Sequence, residues 1–425
     1  MRRIRKSMNE TPAKESVSSA SREIYLFFLY TLFSNISLGA FSLLYNLYLT
    51  QLGYQEDWIG IVNAVSTGSL ALSALGLGRL LQRYGSWWCL TYGTALYLLT
   101  SLAVAFAESP ATVLATVMLQ GLATTFLFVP LMPFVIAYAP PRRRDTVAAI
   151  ALSLTSVSAT IGSFVGGWIP YLVHRLFGLA SPSTLAYRSA LLASIVLCAL
   201  SLPPMFAMRE AKTHQQRTAT QRDTQRVDPN DLRRIRKYLM AFVLAGALLS
   251  LGNGAVLPFF NVFLANLGLP TRVIGLVYAG ASLLGAFCGL WGPAVARRIG
   301  PLRAVTIIRL APIPLFALLV LWQTSSLAVL AFLVRSISIS MAWPLDSTLI
   351  AELLPDTQRG HAFGFRSAAW NVGFACASLL AGYTIVEYGY GPVFASYVLF
   401  CTLAVIYTAS ALSDHPAAQH ATHQG

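Results

Sequence analysis

Charge is scarce in this chain of 425 residues: Asp, Glu, Lys and Arg make up 11% of it, and only 16 residues are acidic. A soluble domain carries about 25% charged residues, so most of this chain does not face water. Cysteine is sparse too. The five cysteines, Cys89, Cys198, Cys288, Cys376 and Cys401, all fall inside apolar runs, which argues for packing and against a disulfide framework. Histidines are few, and the three in the tail HPAAQHATHQG stand too far apart for a metal site. A glycine-rich phosphate loop is missing, and no nucleophile has a base beside it, so we expect neither an enzyme, nor a cofactor, nor direct drive by ATP.

What fills the chain instead is apolar sequence, 56% of all residues, in long runs broken by short polar stretches. Lipid admits only helices or closed barrels, because every backbone group must be satisfied internally. The runs do not alternate as barrel strands do, and they are long enough to cross a hydrocarbon core as helices, which takes about 20 residues. The pattern predicts an all-α membrane protein with twelve transmembrane helices, at roughly 24–50, 58–80, 88–107, 111–138, 146–174, 186–207, 238–266, 272–295, 302–322, 326–354, 361–386 and 391–412. Five parts follow: a cytoplasmic N-terminal segment 1–23, a six-helix bundle 24–207, a polar cytoplasmic linker 208–237, a second bundle 238–412 and a tail 413–425.

The formal charge of +14 reports topology and not a nucleic-acid partner. One set of loops holds MRRIRK, Arg79, Arg83, Arg142 to Arg144, the linker, Arg297, Arg298 and Arg359; the other holds only Arg175, Arg188 and Arg272. Cytoplasmic loops carry the basic excess, so both termini are expected in the cytoplasm of a cell-membrane protein.

The chain also repeats itself. NLYLTQLGYQEDWIG from Asn46 is echoed by NVFLANLGLPTRVIG from Asn261, and the same offset of 215 pairs Gly39 with Gly254, Gly60 with Gly275, Gly85 with Gly300, Arg144 with Arg359 and Gly167 with Gly382. Six helices separate the copies. Both halves therefore run the same way through the bilayer, related by a pseudo-twofold axis along its normal, an architecture of secondary transporters that bind substrate near the midplane.

On these grounds the chain resembles the major facilitator superfamily. GRLLQRYGSWW is similar to the family's G-x-L-x-D-R-x-G-R-R loop at Gly78, Leu80, Arg83 and Gly85, with Gln82 in place of the acidic residue. PDTQRGHAFG is similar to its P-x-x-x-R-G-x-x-x-G loop, and GSFVGG resembles the core of its antiporter motif with Ser163 in place of proline. The same small residues equally suit close helix approach. The resemblance implies that helices one, four, seven and ten line a central cavity.

Ionisable groups inside the spans are costly and therefore candidates for function. They are Arg335, Asp346, Arg366, Arg309 and Glu352, all in the second half. Arg335 and Asp346 are 11 residues apart, close to three full turns, so they share a stripe of helix ten with Trp343. Asn35 and Asn46 repeat that spacing in helix one, and Asn253 sits mid-helix in the seventh. The substrate-binding candidates are Asn35, Asn46, Gln120, Asn253, Asn261, Arg335 and Trp343. Asp346 and Arg366 lie at equal depth on neighbouring helices, either as a packing ion pair or as a proton-coupling pair. Arg335 either pairs with neutral groups or recognises an anionic or polar part of the solute. Arg83, Glu352 and Arg359 flank the cytoplasmic loops as candidate gates.

The reading is a monomeric secondary active transporter of a small organic solute, working by alternating access. The degenerate helix-five motif leans it towards proton-coupled export. Val117, where the family's exporter signature wants Arg, keeps an uncoupled facilitator open, and a non-transporting sensor or scaffold is the rival class.

Overall fold

The computed structural model describes residues 11–139, 144–178, 183–208, 229–354 and 356–412, with side chains described from residue 22 onward except at 136–137, 144–145, 229–235, 351–352 and 356–362. Eleven helices among the described residues are long and apolar enough to cross a membrane. One of them, Glu56–Phe106, has 51 residues, and at 1.5 Å per residue it would run about 76 Å, far beyond a hydrocarbon core of about 30 Å. It breaks at Gly85, where φ is 83° and ψ is 167°, a backbone that glycine adopts freely. The spans are thus twelve: α1 Arg22–Gln51, α2 56–84, α3 86–106, α4 Pro110–Val135, α5 Thr146–Phe177, α6 Thr184–Ala207, α7 Arg236–Asn266, α8 Thr271–Gly289, α9 Pro301–Leu321, α10 Ser325–Ile350, α11 Phe363–Tyr388 and α12 Gly391–Leu412.

The helices outrun the apolar runs that predicted them. The helix containing α1 starts at Thr11 and the one containing α7 starts at Pro229, because hydropathy marks where lipid ends and not where backbone hydrogen bonding ends. Prolines break several spans: α4 at Val129 and Pro130, α9 at Ala311 and Pro312, and α7 at a 3₁₀ turn Leu257–Phe259 around Pro258.

The repeat is visible in the backbone. Gly53 and Gly268 both have positive φ (90° and 84°), as do Gly85 and Gly300 (83° and 89°), so the same two turns recur 215 residues apart. Within the first bundle α5 packs on α1 and α4 packs on the α2–α3 pair; within the second, α11 packs on α7 and α10 on α8. The bundles meet through α2 against α11 and α5 against α8. Paired glycines let these helices touch: a Cβ on Gly60 would lie 3.2 Å from the Gly382 Cα, and one on Gly275 would lie 2.9 Å from the Gly167 Cα. Small residues at such crossings supply van der Waals contact where lipid removes the hydrophobic drive. In the second half Phe260, Phe316, Phe332, Phe394 and Tyr397 stack into a buried aromatic core behind the ionic groups.

Candidate functional site

Three helices of the second bundle bring charge together inside the protein. Asp346, from α10, accepts from Nη2 of Arg309 on α9 and from Nη2 of Arg366 on α11. All three side chains are buried. Arg335, about three turns away along α10, is 4% exposed and donates from Nε (3.1 Å) and Nη2 (2.6 Å) to Oδ1 of Asn253 on α7. Among the described residues it has no carboxylate partner. The neighbouring Ser338 bonds the Ile308 carbonyl at 2.7 Å, tying α10 to α9 one residue from Arg309.

The ion pair between Asp346 and Arg366 follows the depth reading of the sequence; Arg309, which the sequence gives no partner, joins the same carboxylate. The signal was present, since Arg309 lies nine residues beyond the Gly300 turn and Asp346 nine before Pro355. A small cavity of about 40 Å³ reaches this cluster and touches Asn253, Arg309, Asp346, Arg366 and Trp343. Trp343 is 58% exposed, lies 5.3 Å under the Arg366 guanidinium and meets Trp370 edge-on at 6.5 Å.

The asparagines sort differently from their sequence grouping. Nδ2 of Asn46 donates to the Pro258 carbonyl at 2.5 Å, and Nδ2 of Asn261 donates to the Leu43 carbonyl at 2.8 Å. Donors and acceptors are each 215 apart, so this is one contact made twice, across the two bundles. Both residues also line a cavity of about 300 Å³ between the halves, together with Gln120, Asn63, Ser66 and Tyr278. Gln120 donates to Ser101 Oγ at 3.0 Å. Asn35 bonds the Thr31 carbonyl of its own helix at 2.8 Å and lines neither cavity, so the 11-residue spacing does not deliver Asn35 and Asn46 to one site. A carboxamide bonding back along its helix satisfies itself without a ligand.

More contacts close the same end. Glu56 accepts from Tyr390 Oη (2.8 Å) and Asn266 Nδ2 (3.2 Å) of the other half, and Tyr187 bonds Thr271. Burial, and after it the Glu56 carboxylate, push the Tyr390 phenol up from its ordinary range. Of the gating candidates, Arg83 is exposed and stacks on Tyr84 at 5.2 Å; the side chains of Glu352 and Arg359 lie outside the described residues. The cysteines are unpaired.

Comparison with known proteins sets this arrangement in a family. The chain is 29% identical to the quinolone resistance protein NorA of Staphylococcus aureus over 137 residues, 32% of this chain and 35% of that one. The match thus spans about a third of the length of that relative. Its fold is similar to those of the nucleoside transporter NupG (TM-score 0.70, 14% identity, covering 92% of this chain and 98% of that one) and a bacterial homolog of the human lysosomal transporter Spinster, inward-facing and occupied (0.72, 12%, 94% and 98%). It is also similar to that of a D-xylose-proton symporter (0.69, 14%, 91% and 97%). The Major Facilitator Superfamily model matches residues 26–345 and 313–424, and with twelve spans in two repeated bundles the chain belongs to that superfamily of membrane transporters.

Proposed function

We propose that the chain is a secondary active transporter of a small organic solute with an anionic group, and that this group binds at the ionic cluster of the second bundle. One observation carries the reading: among the described residues the second bundle buries three guanidiniums and one carboxylate, Asp346, which pairs with Arg309 and Arg366 and leaves Arg335 with only the Asn253 carboxamide. A buried ion left without counter-charge costs several kcal/mol even after relaxation. An entering anion relieves that cost, and the relief is its affinity.

Asp346 supplies the coupling. An anion that reaches Arg366 competes with Asp346 for it, and a proton placed on Asp346 removes that competitor. Solute and proton would then occupy the site together. The end held shut by the Asn46 and Asn261 contacts carries Arg175, Arg188 and Arg272, the poorer set of basic loops, so it faces outward and the termini are cytoplasmic. The name of the NorA relative fits export, whereas joint occupancy by solute and proton fits uptake along an inward proton gradient, and the response of vesicle transport to a pH gradient reads the direction. An uncoupled facilitator is favoured instead by Val117 at the exporter signature's Arg position.

The test is counterflow in vesicles holding the full chain, with a panel of organic anions and their neutral amides. Anions should exchange and amides should not. Asp346→Asn should keep downhill exchange and lose its response to a pH gradient; a full response in that variant would end the proton role of Asp346.

A further inference from the structure

The cleft that reaches the ionic cluster has two unequal parts, and the partition between them is aromatic. The inner part is the recess of about 40 Å³ bounded by Asn253, Arg309, Asp346 and Arg366. The outer part, about 440 Å³, opens between α10 and α11 and is bounded by Ser347, Phe363, Ser367 and Asn371. Trp343, Arg366 and Trp370 belong to both.

Resting on the anion-transport reading, we infer that the solute is a flat aromatic ring system carrying a single anionic group, ring in the outer part and anion in the inner. Size divides the ligand in this way. A cavity measured this way needs about 10–15 Å³ to hold one water, so the inner recess has room for a few heavy atoms, as in a carboxylate, and not for a ring system. The outer part falls within the range of about 300–1,000 Å³ typical of small-molecule sites. Its walls hold one charged group among the described residues, Arg366, so a second anionic group on the ligand would find no partner there.

The ring preference comes from the two tryptophans. They stand at 90° to each other, so the space beside them offers one ring face and one ring edge, and both offset and edge-on contacts between aromatic rings are favourable beyond the area they bury. Trp343 is more than half exposed to this space while its other surroundings, Arg366 and Trp370, hold it in place. Arg366 lies over Trp343 and beside Asp346 at once. The same guanidinium therefore meets the anion and backs the ring that receives the rest of the molecule. On the rim, Asn371 Nδ2 already bonds the Ser367 carbonyl and Ser347 Oγ the Trp343 carbonyl, which gives shape and aromaticity the larger part in selection.

Calorimetry on the full chain in lipid nanodiscs tests this with three probes of one outline: 2-naphthoate, its saturated counterpart decahydro-2-naphthoate, and neutral 2-naphthamide. Naphthoate should bind about tenfold or more tighter than the saturated acid, from two aromatic contacts. Trp343→Leu removes one of the two contacts and should lower that ratio to about threefold, and measurable binding of the saturated acid certifies the fold. Equal binding of the two acids to the unaltered protein would overturn the aromatic inference and leave the anion reading standing. Naphthamide binding as tightly as naphthoate would overturn the anion reading itself. Failure of all three to bind overturns the aromatic inference, and the vesicle panel then decides the anion reading separately.

Discussion

Arg335 and Asp346 sit on one helix and do opposite things. Asp346 ties α9, α10 and α11 together through two guanidiniums, so removing it strands both. Breaking a buried pair by deleting one partner costs about 3–5 kcal/mol, and Asp346→Ala should lower the unfolding temperature of the purified protein markedly. Arg335 holds only a neutral carboxamide. Arg335→Gln can still donate to Asn253 and removes a buried charge that has no counter-ion among the described residues, so stability should hold or rise, while a charge-assisted contact to the solute, worth about 1.5–3 kcal/mol, is lost. Anion affinity measured by titration should fall roughly ten- to a hundredfold; an unchanged affinity would remove Arg335 from the site. These residues were legible because charge is so rare in the spans. What could not be read was which neutral groups they meet, since Asn253 reaches Arg335 from a helix 82 positions away in sequence and no spacing rule connects them.

Among elements, the paired contact between α1 and α7 has the clearest consequence. Hydrogen bonds between membrane helices average about 0.6 kcal/mol, with a maximum near 1.7. Losing both Asn46 and Asn261 to alanine therefore removes about 1–3 kcal/mol from the closed end, and each 1.4 kcal/mol is a tenfold shift in an equilibrium. The double variant should populate the conformation open at that end by about tenfold more, read as faster labelling of a cysteine introduced at Tyr45 by a water-soluble thiol reagent. Labelling at the unaltered rate would make the contact incidental. The sequence marked Asn46 and Asn261 as a repeated pair, and took their polarity as facing solute. Their actual acceptors are backbone carbonyls, which carry no sequence signature. The span predicted at 238–266 lies within two residues of the one observed, and the helix that holds it begins earlier, at Pro229, through charged residues that hydropathy discounts.

For the whole molecule, the offset of 215 made the two-bundle architecture readable before any coordinates, and the backbone repeats it in two mated glycine contacts and two recurring turns. Rocking of one bundle against the other should be blocked by tying them at the closed end. With Cys288 and Cys376 replaced by alanine, the pair Tyr187→Cys and Thr271→Cys, whose native side chains bond each other across more than a direct disulfide spans, should be bridged by a short bis-methanethiosulfonate reagent. Exchange in vesicles should stop and return on reduction. Transport that persists through complete cross-linking would exclude rocking about this end.

Duplication copied the scaffold and left the ions lopsided, and that asymmetry sets how cargo travels. Every guanidinium of the cluster rides on α9, α10 or α11. A passenger anchored there stays seated in one bundle while the other swings past it like a shutter. Its grip then differs little between the two sides of the bilayer, and a ligand with equal affinity for two states shifts neither. Saturating cargo would leave the resting orientation of this protein where it began.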